Sequence, residues 1–172
     1  FRKIKFQLRA YPSILINNAA IAQEKKFEEI SYKDYEKMMR INLIGQMIIT
    51  REFILNFKKQ INNYGRIINI SSIGGQIGGK NQVHYAAAKA GLINFSKSIA
   101  NLYSKEKITC NSIAIGLVKT KMSSKELRRN DGVKKITNIP IGRIAEMKEI
   151  TSSIKFLISD EASYITGQCI NL

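Results

Sequence analysis

The 172-residue sequence has no tryptophan, only two cysteines and two prolines, and no apolar run approaching the length of a membrane-spanning helix. Residues 1–9 alternate basic and apolar types, without the continuous apolar centre of a secretory signal. Cys110 and Cys169 stand alone, without a CxxC pair or neighbouring histidines, so neither a metal site nor a disulfide framework is expected. We expect two buried thiols in a reducing cytoplasm.

Acidic residues are scarce: 13 Asp and Glu against 28 Lys and Arg give a formal net charge of +15. A basic composition bears on non-specific association with polyanions and not on fold. The lysines are scattered, and no basic stretch alternates with aromatic residues as in RNA-binding segments. We therefore expect solvated surface lysines and no specific nucleic-acid or membrane partner. The charge alone leaves a salt-dependent DNA-binding protein as an alternative.

Short apolar runs alternate along the chain with longer amphipathic segments. Four strands are predicted, at residues 13–17, 66–71, 108–114 and 168–172, the first of them buried. Three helices are predicted, at residues 34–59, 84–104 and 148–159, and a capping box of Ser31 and Asp34 opens the first. This alternation predicts an α/β fold, a doubly wound parallel sheet with helices on both faces, in a single domain over residues 1–172.

Ligands of such sheets bind beyond the carboxyl ends of the strands. Three loops leave strand ends here, at Asn17-Asn18, at Ser71-Ser72 and from Gly116 onward. We expect these loops to form the walls of one cleft.

Ser72, Tyr85 and Lys89 are the candidate catalytic residues. Tyr85 and Lys89 are four residues apart on a predicted helix and therefore share a face. Moving a phenol pKa from about 10 to about 7 requires about 4 kcal/mol of phenolate stabilisation. An ammonium about 4 Å away supplies that only at an effective dielectric near 20. We expect Lys89 to lower the pKa of Tyr85 inside a partly dry cleft, and Ser72 to donate to a carbonyl oxygen.

Five motifs occur in order: Asn17-Asn18-Ala19-Ala20, a helical Asn42, Ile70-Ser71-Ser72, Tyr85-Ala86-Ala87-Ala88-Lys89 and Ile115-Gly116-Leu117-Val118-Lys119-Thr120. Together they resemble the short-chain dehydrogenases/reductases, most of all the 3-oxoacyl-(acyl-carrier-protein) reductase type. The resemblance implies a Rossmann-like fold and NAD(P)-dependent reduction of a ketone to a secondary alcohol, with a 3-oxoacyl thioester bound to acyl carrier protein as the favoured substrate. The alternatives are another small alcohol, ketone or sugar as substrate, or a non-catalytic remnant of the fold.

The resemblance also implies a role for each matching residue. Tyr85 would donate the proton, Lys89 would lower its pKa and bind the nicotinamide ribose, and Ser72 would hold the substrate carbonyl. Asn42 would anchor a water that feeds a proton relay through Lys89; without the other motifs, a helix-interior Asn at a local kink is the favoured interpretation. The cofactor, NADPH more than NADH, would contact Asn17, Ala19, Tyr85, Lys89, Gly116, Val118 and Thr120. A homodimer or homotetramer would form through the two long helices.

The sequence departs from the family pattern in two places. Ile115 stands where proline is usual, which leaves the following loop less constrained. No glycine precedes Gly45, so a Gly-rich turn that would approach a pyrophosphate is missing. We expect that the first strands of the sheet lie outside this sequence or that the protein is a remnant. The segment 74–79 is interpreted as a substrate-side loop, and residues 122–136, with Arg128 and Arg129, as a solvated lid or a contact for an acidic carrier protein.

Overall fold

The computed structural model describes residues 11–59, 64–120 and 136–172. Its strands are β1 (Ile14–Asn17), β2 (Gly65–Ser72), β3 (Ile108–Ile115) and β4 (Cys169–Asn171). Its helices are α1 (Tyr32–Met39), α2 (Gly45–Phe57), α3 (Gly74–Ile77), α4 (Val83–Tyr103) and α5 (Met147–Ile158). The four predicted strands and three long predicted helices are thereby confirmed, apart from shifts at their ends and the interruption described below.

The four strands form one parallel sheet in the order β1-β2-β3-β4. Alternate residues of β2 and β3 point to opposite faces. One face packs Ile67, Ile108 and Cys110 against Phe53 and Ile99 of α2 and α4. The other packs Ile68, Ile70 and Ile113 against Leu157 of α5. Helices therefore cover both faces of the sheet, as the strand–helix alternation predicts.

The predicted helix over residues 34–59 is not uniform. It begins two residues earlier than predicted, directly after the expected capping box, in which the Ser31 side chain accepts from Asp34 N–H and Asp34 accepts from Ser31 N–H. Between α1 and α2, residues Arg40–Ile44 form a π-helical segment in which Gly45 N–H donates to Arg40 O. A Cβ on Gly45 would lie only 3.1 Å from that oxygen, so glycine eases the wider turn.

Three other expectations are wrong. Strand β1 is not buried, because it is the edge of the described sheet and leaves Ile14 and Ile16 each 42% exposed. The segment 74–79 is not wholly loop, since it contains the short helix α3. Cys110 is buried, whereas Cys169 on edge strand β4 is only half-buried.

The predicted lid at 122–136, with Arg128 and Arg129, falls almost wholly outside the described residues, as do the first ten residues. Among the helices that the structure describes, none is both long and apolar enough to cross a bilayer.

Candidate active site

The end of β2 and the first two turns of α4 bring Ser72, Tyr85 and Lys89 together. Ser72 Oγ accepts from Gly74 N–H at 3.1 Å, which leaves its own hydroxyl proton to donate to the Tyr85 oxygen. The Lys89 ammonium lies 5.8 Å from the centroid of the Tyr85 ring. Tyr85 is half-buried and Lys89 is 2% exposed, so the group forms one corner sheltered from solvent.

Both the side chain and the backbone of Lys89 are hydrogen-bonded to β2. Its Nζ donates to Ile70 O at 2.7 Å, and its carbonyl accepts from Ser71 Oγ at 2.9 Å. Gly75 of α3 completes the contact: a Cβ there would lie 2.8 Å from the Lys89 carbonyl carbon, too close for any side chain. Ser71 was expected in a cleft wall and Gly75 in a substrate-side loop, but their contacts with Lys89 were not predicted; their places beside Ser72 and within a Gly-Gly pair are the signals that mark them.

The pKa directions at the site correct one expectation. Burial raises the pKa of Tyr85, and the hydrogen bond from Ser72 offsets this only in part. Burial lowers the pKa of Lys89 to about 8. The net direction is opposite to the lowering expected from Lys89, because burial of the phenol dominates and the ammonium is hydrogen-bonded to Ile70 O. Tyr85 thus keeps its proton at neutral pH, as a proton donor must.

Asn42 lies in the π-helical segment and is fully buried. Its Oδ1 accepts from Ile21 N–H at 2.9 Å, while its Nδ2 donates to Ile21 O at 2.8 Å and to Met38 Sδ at 2.9 Å. Both amide protons are therefore used within the protein, and the side chain fixes the loop after β1. The water relay that the resemblance implies for Asn42 stays a prediction, and such a water would have to bind an oxygen of the residue because both Nδ2 protons are used.

The predicted cofactor residues fall into two groups. Ala19 is exposed, and its carbonyl accepts from Gln46 Nε2 at 2.9 Å. Asn17 is 4% exposed, and its Nδ2 donates to Thr50 Oγ1 and to Asn69 Oδ1. Both amide protons of Asn17 are therefore used in the protein interior, and its backbone is the part that can line the predicted cleft.

Beyond β3, Gly116 N–H donates to Leu172 O at 2.7 Å, and a Cβ at Gly116 would lie 3.2 Å from that oxygen. Val118 is buried in a parallel bridge with Ala145, and Thr120 is half-buried at the end of the described segment. These loops follow the carboxyl ends of β1 and β3, on either side of the corner formed by Ser72, Tyr85 and Lys89.

Known proteins resemble this chain in sequence and in fold. Residues 9–172 match a family model described as enoyl-(acyl-carrier-protein) reductase. The 3-oxoacyl-(acyl-carrier-protein) reductase FabG of Aquifex aeolicus (strain VF5) is 38% identical over 162 residues, which cover 92% of this chain and 63% of the relative. Nodulation protein G of Rhizobium meliloti (strain 1021) is 37% identical over 159 residues, which cover 92% of this chain and 64% of the relative.

A solved structure, described as a 4-hydroxyisoleucine dehydrogenase mutant complexed with NADH and succinate, matches with a TM-score of 0.92 at 27% identity. That match covers 99% of this chain and 70% of the other. The chain spans just under two thirds of the length of the curated relatives described above.

Proposed function

This chain belongs to the short-chain dehydrogenase/reductase family, and we propose that it carries the catalytic residues of an NAD(P)-dependent enzyme that reduces a ketone to a secondary alcohol. The favoured substrate class is a 3-oxoacyl thioester on acyl carrier protein, which is the reaction named for the FabG relative. Another small ketone or sugar is the alternative substrate, and a non-catalytic remnant is the alternative to an enzyme.

The observation that carries the proposal is the shared corner of Ser72, Tyr85 and Lys89. A carbonyl oxygen placed within reach of both hydroxyls receives a hydrogen bond from Ser72 and the proton from Tyr85. The tyrosinate left behind is stabilised by Ser72 and by the Lys89 charge, at a site where burial strengthens electrostatic attraction. A raised resting pKa suits this direction, because the donor is protonated when the ketone arrives.

A nicotinamide cofactor supplies the hydride when it is bound. The described residues fit the nicotinamide end of such a group. Lys89 offers a buried ammonium, the exposed Ala19 backbone is held by Gln46, and a Cβ at Gly116 would approach Leu172 O to 3.2 Å, a tight contact that glycine avoids. Gln46 Oε1 is buried and has no hydrogen-bond partner among the residues that the structure describes, so this wall of the site retains an acceptor to be satisfied. Asn17, Val118, Thr120 and Tyr85 complete the proposed set.

The phosphate preference rests on resemblance alone. The resemblance implies NADPH, whereas the matched solved structure is described as a complex with NADH. We propose NADPH, in a cytoplasmic protein whose free thiols Cys110 and Cys169 suit a reducing compartment.

The test is oxidation of NADPH and of NADH by the full-length protein with acetoacetyl thioesters and simple ketones. Turnover with a thioester and NADPH is expected. Tyr85→Phe should lower kcat by at least about 100-fold, because it removes the general acid, while leaving the circular dichroism spectrum unchanged. Tyr164→Phe, at a 99% exposed tyrosine, is the matched control and should retain wild-type kcat. Full activity of the Tyr85 variant would refute the assignment, and turnover of no ketone would favour the remnant.

A further inference from the structure

The two functional residues of α4 are supported very differently. Lys89 lies one turn inside the helix and is tied to β2 by two hydrogen bonds. Tyr85 is the third residue of α4, in the first turn, where backbone N–H groups have no intrahelical acceptor. The N-cap residue Gln82 makes no side-chain capping bond. Because helix ends open more easily than helix interiors, the direction of the Tyr85 side chain depends on contacts from outside the helix.

His84 makes that outside contact. It is 1% exposed, its Nε2 lies 3.0 Å from Gln23 Oε1, and its ring packs edge-on against Tyr35 of α1 at 5.9 Å between centroids. Gln23 Nε2 donates to Asp34 Oδ1 at 2.9 Å, so Gln23 presents its oxygen to the imidazole. His84 Nε2 is therefore the protonated nitrogen. Among the described residues Nδ1 is buried without a partner, so within that part of the chain Gln23 alone forms a hydrogen bond with the ring.

The segment that carries Gln23 is held in place by further hydrogen bonds of Lys25 and Asp34. Lys25 Nζ donates to Asp34 Oδ2 at 2.7 Å, and Ser31 closes the capping box on the same carboxylate. The Lys25 N–H also donates to Asn81 O at 2.9 Å, just before α4. Lys25 thus links the loop between β1 and α1 both to α1, through its side chain, and to the residues just before α4, through its backbone.

We propose that His84 is a positioning residue, and that the Gln23–His84 hydrogen bond sets the rotation of the first turn of α4 and so directs the Tyr85 hydroxyl toward Ser72 and the substrate carbonyl. Neighbouring residues of an α-helix project about 100° apart. When the His84 side chain is held in place, the direction in which the Tyr85 side chain leaves the helix is therefore fixed too. Small misplacements of a catalytic group cost rate more than binding. The inference rests on the proposed function for its kinetic readout but not for its structural one.

The kinetic test compares Gln23→Leu with Gln82→Leu in the full-length protein. Gln82→Leu is the matched control, because it removes a longer contact between the same two segments, Gln82 to Glu24 at 3.5 Å, without touching His84. Gln23→Leu should lower kcat at least fivefold while the KM values for ketone and cofactor stay within twofold. Gln82→Leu should change neither by more than twofold. An unchanged kcat in Gln23→Leu, or a KM that rises in step with the loss, overturns the proposal.

His84→Phe keeps the ring contact with Tyr35 but removes the donor. It should reproduce the loss of kcat, and the double variant with Gln23→Leu should lose no more than either single variant. Additive losses overturn the proposal, and the Gln23 comparison still decides it if His84→Phe does not fold.

Hydrogen–deuterium exchange of peptides covering residues 82–88 tests the same contact without turnover. Gln23→Leu should accelerate exchange there and Gln82→Leu should not; equal exchange overturns the proposal. If the wild-type protein reduces no ketone, the proposed function fails while this measurement still decides the role of His84.

Discussion

At the scale of single residues, Lys89 combines a cost in stability with a proposed benefit in activity. Burying an ammonium is unfavourable, and this lowers the pKa of Lys89 to about 8 although its Nζ is hydrogen-bonded to Ile70 O. At neutral pH the residue is still mostly protonated, which the proposed stabilisation of the tyrosinate requires. Because its pKa is close to neutral pH, titration of Lys89 should change both activity and stability within an accessible pH range.

We expect kcat/KM for ketone reduction to fall as the pH rises through about 8, where Lys89 loses its proton in the free enzyme. The raised pKa of Tyr85 keeps the proton donor protonated in the same range. The measurement is kcat/KM from about pH 6.5 to 9.5 with the cofactor held below saturation, so that the free enzyme is the species that titrates. A profile that stays flat through pH 8 would contradict the assignment of this charge to the reaction.

The free energy of unfolding should rise over the pH range in which kcat/KM falls. The unfolded chain keeps Lys89 protonated up to its ordinary pKa of 10.5, whereas the folded protein releases the proton near 8. The unfolded state therefore binds more protons, and stability rises with pH, by roughly 2 kcal/mol between pH 8 and 9.5. Urea unfolding of wild-type and Lys89→Met proteins measures this increment, which should be missing in the variant.

At the scale of elements, the approach of α3 to α4 depends on Gly75. A Cβ there would lie 2.8 Å from Lys89 C and 2.9 Å from Ala90 N, which are helix backbone atoms that cannot turn aside. Gly75→Ala should therefore push α3 away and destabilise the fold by about 1–3 kcal/mol. Because Ser72 lies two residues before α3 and accepts from its Gly74 N–H, kcat should fall as well. Urea unfolding and steady-state kinetics measure the two effects.

Gly79→Ala is the matched control for this substitution. A Cβ at Gly79 would meet Gln82 Cβ at 3.4 Å, an ordinary contact, and the variant should stay within about 0.5 kcal/mol of wild type. Equal stabilities of the two alanine variants would show that the close approach is not a constraint.

The elements themselves were predictable because their signals are local. Apolar runs such as Ile67-Ile68 in β2, separated by long amphipathic segments, indicate parallel strands covered on both faces. The four-residue spacing of Tyr85 and Lys89 predicts their shared face in the same way. Each of these predictions depends on periodicity within one segment, which a sequence displays directly.

What the sequence did not reveal depends on contacts between distant residues. The π-helical segment carries Asn42, whose partner Ile21 is 21 residues away, and no proline marks it. The pKa of Tyr85 depends on where the Lys89 ammonium points, which spacing does not determine. His84 is next to Tyr85 in sequence, yet its partner Gln23 lies 61 residues earlier. Such pairings become visible only when the fold brings the segments together.

At the scale of the whole molecule, α2 carries an apolar face that the described part of the chain leaves exposed. Ile44, before its first residue, and Ile48 and Leu55 within it recur at four- and seven-residue steps, which places them on one side of the helix. They are 47%, 56% and 46% exposed. We propose that this face pairs with a second copy of the chain, in the homodimer or homotetramer that the family resemblance implies.

Ile48→Glu tests the pairing, because a carboxylate at the centre of an apolar interface would be desolvated without a partner. The full-length variant should show a smaller mass than wild type in light scattering coupled to size-exclusion chromatography. Tyr32→Glu, at an 81% exposed position on α1, is the control for adding a surface charge and should keep the wild-type mass. A monomeric wild type, or an Ile48 variant with unchanged mass, would mean that this face is not the interface.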